Sequence, residues 1–186
     1  MGCKILKKVK GGKTMATVNE IANYLINSYE KITESSFNND EITLRKLMYF
    51  AQKTSLALTG DVMIDESFEG WRHGPVLPSL RFFFEYYNPN DDFADKLTET
   101  QKYVIDNVIH HYGKYAPWTL RNMSHEESAW IKSRKGLSDS ERGDNEINVN
   151  DIKDDAALIR LYDHQFDMYL DEFEDVEEGF VSVSSS

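Results

Sequence analysis

Thr43 to Tyr87 reads TLRKLMYFAQKTSLALTG, DVMIDESFEGWRHGPVLP, SLRFFFEYY, and the punctuation of this stretch decides the fold. Leu44, Leu47, Met48, Ala51, Ser55 and Leu58 recur at helical offsets, and Phe50 and Ala57 widen the stripe. A helix with so broad an apolar face is central and mostly buried. Thr43 is placed to cap it and Gly60 to end it. Residues 62–64 and 67–72 have strand character, with Asp65-Glu66 between them, which predicts a small hairpin over about residues 62–72. Trp71-Arg72-His73-Gly74-Pro75 reads as a stiff turn. Gly74 supplies a positive φ or admits a close backbone approach, Pro75 rigidifies the chain after it, and Trp71 anchors the hairpin on the helices. Pro78 opens the next helix, because the first turn needs no donor there. Phe82, Phe83, Phe84, Tyr86 and Tyr87 make that helix apolar nearly all round, so part of it must meet another element, a second subunit or a partner.

Working outward, Thr17 and Glu20 have capping-box spacing and open a first helix that ends near Ile32. Thr98 and Gln101 repeat the pattern, ahead of a helix over Val104, Ile105, Val108, Ile109 and Tyr112 that stops at Gly113. Pro117 to Met123 is a short helix, and Ser124 with Glu127 caps another through Arg134. Gly136 to Asn148 is polar and reads as a mobile loop. Asn150 or Asp151 starts a long C-terminal helix carrying Leu158, Leu161, Tyr162, Phe166, Tyr169, Leu170 and Phe173. The expected class is mainly α, a helical domain over residues 15–175 with one small hairpin and a long last helix, followed by an acidic, serine-rich tail over residues 176–186.

Composition bounds the function. The 186 residues carry a formal net charge of −11, and the only cysteine, Cys3, allows no intrachain disulfide, which suits a reducing, cytoplasmic setting. No apolar run approaches the ~20 residues of a membrane span. The charge is uneven. Residues 1–14 hold Lys4, Lys7, Lys8, Lys10 and Lys13 and no acid; without these five, the 21 basic residues fall to 16 against 32 acidic ones. An acidic body is repelled by phosphate, which argues against direct nucleic-acid binding and suits a basic partner. Met1-Gly2-Cys3 with lysines hints at dual lipidation, but Leu6 stands where that motif needs Ser or Thr. Met15-Ala16-Thr17 reads as an ordinary start into a capped helix, so residues 1–14 are expected to be a non-native or disordered extension. An intact mass including Met1 or Gly2 would contradict that.

Candidate site residues fall in three groups. On the second helix, Arg45, Lys46, Gln52 and Lys53 define a polar face. At about 100° per residue, Tyr49 and Leu56 fall inside it, one above the other, as a strip for a partner or for a covering helix. Arg72 and His73 sit on the turn. Asp171, Glu172, Asp175 and Glu178 belong to an acidic stretch, Asp167 to Glu178, with no base in it. Ser124-His125-Glu126-Glu127 followed by Trp130 tempts a catalytic reading, but the spacing fits a helix N-terminus, where the carboxylates favour the dipole. His110 and His111 are adjacent and face apart, and no metal, phosphate-loop or nucleophile motif is present. No catalytic residue, cofactor or metal is expected.

Lys46-Leu47-Met48-Tyr49-Phe50-Ala51-Gln52, Leu56, Leu58, Thr59, Gly60, Glu69, Trp71, Arg72, Gly74-Pro75-Val76 and Pro78 form one ordered block. Leu120, Ser124-His125-Glu126 and Trp130 form a second. Together they resemble the signatures of the Panacea domain, the SocA-like or phage-associated protein family, over Val18 to Arg134. The resemblance implies structural roles for Lys46, Leu47, Tyr49, Gln52, Trp71, Gly74, Pro75, His125 and Trp130. It implies an antitoxin that neutralises a cognate protein toxin by direct contact. It leaves two alternatives, a proteolytic adapter that hands a toxin to a protease and a phage accessory protein acting on a host complex.

Overall fold

Thr17 accepts a hydrogen bond from the Glu20 amide and Glu20 accepts one from the Thr17 amide, so the predicted capping box starts α1 (Val18–Thr33). The computed structural model describes residues 16–159, together with a backbone pair, β1 (Val9–Lys10) and β2 (Lys13–Thr14), in which Val9 faces Thr14. α2 (Glu41–Thr59) comes next and ends, as predicted, on Gly60 in the left-handed region at φ +73°. Its cap is Asp40 rather than Thr43. The Asp40 carboxylate accepts from the Ile42 and Thr43 amides, and Thr43 lies inside the first turn with its hydroxyl on the same carboxylate. An aspartate three residues upstream supplies the charge that a helix N-terminus prefers.

α2 is the axis of the molecule. It packs against α4 (Glu99–Tyr112), α5 (Pro117–His125), α7 (Val149–Ala156) and β4 (Gly74–Val76). Its expected polar face is therefore not a surface. Tyr49 and Leu56 are buried, as are Lys46, Gln52 and Lys53 around them. Lys46, Gln52 and Lys53 each hold a neighbouring segment, whereas the buried Tyr49 hydroxyl has no hydrogen-bond partner. Lys46 Nζ donates to the Pro75 carbonyl at 2.9 Å. Gln52 accepts from the Met63 and Ile64 amides at 3.0 and 2.9 Å and donates to the Ile64 carbonyl. Lys53 pairs with Glu127 at 2.7 Å, a pair whose side chains are 11% and 12% exposed. A buried polar group without a partner is costly, so a polar stripe inside a protein must be a rail for other chain segments.

That rail explains where the hairpin went. β3 (Glu69–Trp71) lies within the expected 67–72 strand, but its partner is β4, with Gly70 opposite Pro75 and the turn at Arg72-His73. Residues 62–64 do not pair with it, because Gln52 has taken the backbone groups of Met63 and Ile64. After β4, Pro78 opens a 3₁₀ turn, Pro78–Phe82, and only four residues, α3 (Phe83–Tyr86), are α-helical. The expected aromatic helix is thus short, and it divides its rings. Phe83 is buried, while Phe82 and Tyr86 are 54% and 84% exposed.

α5 runs through His125, so Ser124 is a buried residue of its last turn and not a cap; its hydroxyl donates to the Arg121 carbonyl. α6 (Ser128–Ser133) comes next, with Glu127 at its N-cap position. The stretch from Gly136 to Asn148, expected to be a mobile loop, is tied to β3 and its flank by three backbone bonds. The Gly70 and Arg72 amides donate to the Asn145 and Arg142 carbonyls, and the Ile147 amide donates to the Phe68 carbonyl. Asn148 caps α7, close to the predicted start. The long last helix is not supported. α7 ends at Ala156 in a tightened turn, with Leu158 and Ile159 donating to Asp155 and Ala156. Leu161 to Phe173 lie outside the described residues. Among the described residues no helix is long and apolar enough to cross a membrane.

Candidate partner-binding face

The turn at Arg72-His73 is exposed, and everything beneath it is fixed. Gly74 has φ +98°, and a Cβ there would lie 2.4 Å from Ser124 Oγ and 2.6 Å from Lys46 Nζ. The predicted close approach is real, and its partners are the buried lysine of α2 and the buried serine of α5. On the other side of the turn, Trp130 Nε1 donates to the Trp71 carbonyl at 2.9 Å. The Trp130 ring stacks on His125 with centroids 3.8 Å apart. Arg134 is buried, and its guanidinium donates to the carbonyls of Gly70, Ser138, Glu141 and Arg142. One cation thereby joins β3 to the 138–142 loop.

Trp71 is not the anchor expected of it. It is only partly buried, its indole N–H donates to Glu69 and the Arg142 guanidinium lies 4.5 Å above its ring. Phe68, which is 2% exposed and meets the Tyr49 ring edge-on, does the anchoring. Trp71→Ala is therefore expected to cost about 1–2 kcal/mol, well under the ~3–5 kcal/mol of a core aromatic. A urea-unfolding loss in the core range would contradict this placement.

Around the turn the surface is aromatic and positive. Trp118, on α5, is 57% exposed. His73 meets it edge-on at 6.0 Å, and the Arg121 guanidinium lies 5.8 Å from its ring. Beside them is a groove of about 300 Å³ lined by Arg45, Lys46, Trp71, Arg72, His73 and Arg142, with Ile42 and Val76 in its walls and no carboxylate among the described lining residues. Arg45 pairs along its own helix with Glu41.

Burial, and after it the neighbouring cations, act in one direction on the titrating groups nearby. Burial first, then Arg45 and Arg121, hold the Lys46 ammonium well below its usual range. Burial, Arg72, Arg121 and Lys46 lower His73. His125 is pushed down to about 4 by burial and by Arg121, Lys46, His73 and Arg134, and its Nε2 is buried without a hydrogen-bond partner. His125 is therefore neutral in the folded protein at pH 6, whereas the unfolded chain begins to bind that proton near 6.5. Between about pH 6.5 and 4 the unfolded state holds the extra proton, so stability falls as pH falls through this window and levels off below it. With solvent screening of a partly buried ring, the loss is on the order of 1–2 kcal/mol. Urea midpoints of wild type and His125→Gln from pH 7 to 4 should converge by that amount; parallel profiles would contradict it.

Of the residues singled out in the sequence, the structure brings Arg45, Arg72 and His73 to one face. It removes Tyr49, Gln52, Lys53 and Leu56 from the surface. Asp171, Glu172, Asp175 and Glu178 lie outside the described residues. Sequence reasoning missed Trp118, Arg121 and Arg142 in this role. The one available signal was Trp118 directly after Pro117, a tryptophan in the first turn of a short helix where half the positions must face out.

No curated protein and no solved structure matches the chain. Residues 44–131 match the family model described as antitoxin SocA-like, Panacea domain. That segment runs from the first turn of α2 through the turn and α5 into α6, and includes Lys46, Gly74, Trp118, Arg121, His125 and Trp130. Residues 44–131 thus carry this chain's similarity to the antitoxin SocA-like, Panacea domain family.

Proposed function

We propose that the chain is the antitoxin of a toxin–antitoxin pair and neutralises a cognate protein toxin by binding it, with no catalytic step of its own. The family match supports the role. The observation that carries the mode of action is the face at Arg72-His73, Trp118 and Arg121. It exposes a tryptophan among arginines, the composition of interface hot spots, on a turn that Lys46, Gly74, Trp130 and Arg134 hold in place. A preformed face loses little freedom on binding. Histidine chemistry gains no support, since the His125 ring lies flat on Trp130 and its Nε2 is enclosed.

The test is growth rescue against the toxin over a range of antitoxin doses. An Arg72→Ala/Trp118→Ala variant that melts like wild type should need at least roughly 30-fold more protein, the loss of about one hot spot. Rescue by that folded variant at wild-type dose would remove the face from the reading. Rescue that depends on a host protease would replace masking with adapter action.

A further inference from the structure

The groove is a positive site in a chain of net charge −11, and none of its described lining residues is acidic. Neither Arg72 nor Arg142 forms an ion pair among the described residues. Arg142 is exposed and rests on the Trp71 ring, while Arg72 stands on the exposed turn. Such a groove fits carboxylates, and its walls of Ile42, Val76 and Trp71 fit apolar or aromatic side chains between them. The chain contains one stretch of that chemistry. Asp167 to Glu178 reads DMYLDEFEDVEE, with seven acids, no base, and Tyr169, Leu170 and Phe173 interspersed.

The last described helix is also joined to the groove through α6. Asp155, in the last turn of α7, accepts from Ser128 and from the Ala129 amide. The next residue, Trp130, donates to the carbonyl of Trp71, whose ring lines the groove. Between Ile159 and the acidic stretch, residues 160–167 reach at most roughly 26–29 Å when extended. Attachment to the same chain gives the stretch an effective concentration on the order of millimolar.

We propose that this acidic stretch, Asp167 to Glu178, docks in the Arg45–Arg72–Arg142 groove of its own chain. It thereby covers the edge of the partner-binding face until a partner displaces it. The inference rests on the groove and the sequence, and its test needs no toxin, so it stands or falls separately from the antitoxin reading.

The probe is a fluorescein-labelled peptide of residues 167–178, monitored by anisotropy. The receptor is the full chain carrying Asp171→Asn, Glu172→Gln, Asp175→Asn and Glu178→Gln, which weakens the internal competitor. The peptide should bind this chain, more weakly at about 300 mM than at about 50 mM salt, concentrations chosen around the screening range. The wild-type chain, already occupied, should bind it at least about tenfold more weakly. Adding Arg72→Glu and Arg142→Glu to the receptor should reduce binding at least about tenfold. If the double reversal does not fold, Arg72→Glu alone, at an exposed turn residue, carries the same forecast. No binding to the neutralised chain overturns the proposal. So does binding that survives the arginine reversals, including binding lost instead when Lys4, Lys7, Lys8, Lys10 and Lys13 become Gln.

Discussion

Arg134→Ala should be the most damaging single truncation outside the apolar core, lowering the unfolding free energy by roughly 3–5 kcal/mol. The side chain is 8% exposed, and its guanidinium donates to four carbonyls, those of Gly70, Ser138, Glu141 and Arg142. Removing it takes the donor from the buried bond to the Gly70 carbonyl and cuts the side-chain tie between β3 and the 138–142 loop, although the Ser138 and Arg142 carbonyls keep backbone donors from Glu141 and Arg72. It also withdraws the cation lying 5.5 Å from the Trp130 ring, which supports Trp71. Arg134→Lys should recover little. An ammonium has three donors at one point, whereas the guanidinium spreads five in a planar fork across separated acceptors. Urea unfolding of the three proteins decides it. A loss below about 1 kcal/mol for Ala, or full recovery by Lys, would mean that the hydrogen-bond fan is not holding the hairpin.

Gly74→Val should cost at least roughly 3 kcal/mol, from backbone strain of about 1–3 kcal/mol and overpacking of about 1–3 kcal/mol. The backbone lies at φ +98°, where side chains other than hydrogen are strained. The added carbon also meets groups that cannot retreat freely. Ser124 Oγ, at 2.4 Å, donates to the Arg121 carbonyl, and Lys46 Nζ, at 2.6 Å, donates to Pro75. Combining Gly74→Val with Ser124→Ala should return only part of the loss, because the smaller residue makes room but does not change φ. Complete recovery in that double variant would show that crowding, not backbone conformation, dominates.

Much of this fold was legible because its signals are local. The capping boxes at Thr17/Glu20 and Thr98/Gln101 form as spaced, Gly60 ends α2, and Gly74 is the close-approach glycine of the turn. The failures share a different cause. On a helical wheel, Lys46, Gln52 and Lys53 look like a solvent face, and only the tertiary structure shows that Pro75, Met63-Ile64 and Glu127 come to meet them. Gln52, by taking the backbone groups of Met63 and Ile64, also drew residues 62–64 away from the hairpin. The face at the turn was half legible. Arg72 and His73 declare themselves by standing beside Gly74-Pro75. Trp118, Arg121 and Arg142 come from two other segments, and no periodicity links them to the turn. Arg134 looked like the end of a short helix, since a cation bonding carbonyls of a loop leaves no spacing signal.

Central to the account is direct, non-catalytic capture of a toxin by the turn face. The measurement that bears on it most directly is titration calorimetry of the purified chain against a purified candidate toxin whose growth arrest the chain relieves, held inactive by a substitution. The account predicts a saturable complex that forms without any other component. Binding should weaken by about 2 kcal/mol or more in the folded Arg72→Ala/Trp118→Ala variant, and His125→Gln should leave it unchanged. Neutralisation in cells without any complex between the pure proteins, or a complex indifferent to Arg72 and Trp118, would contradict it.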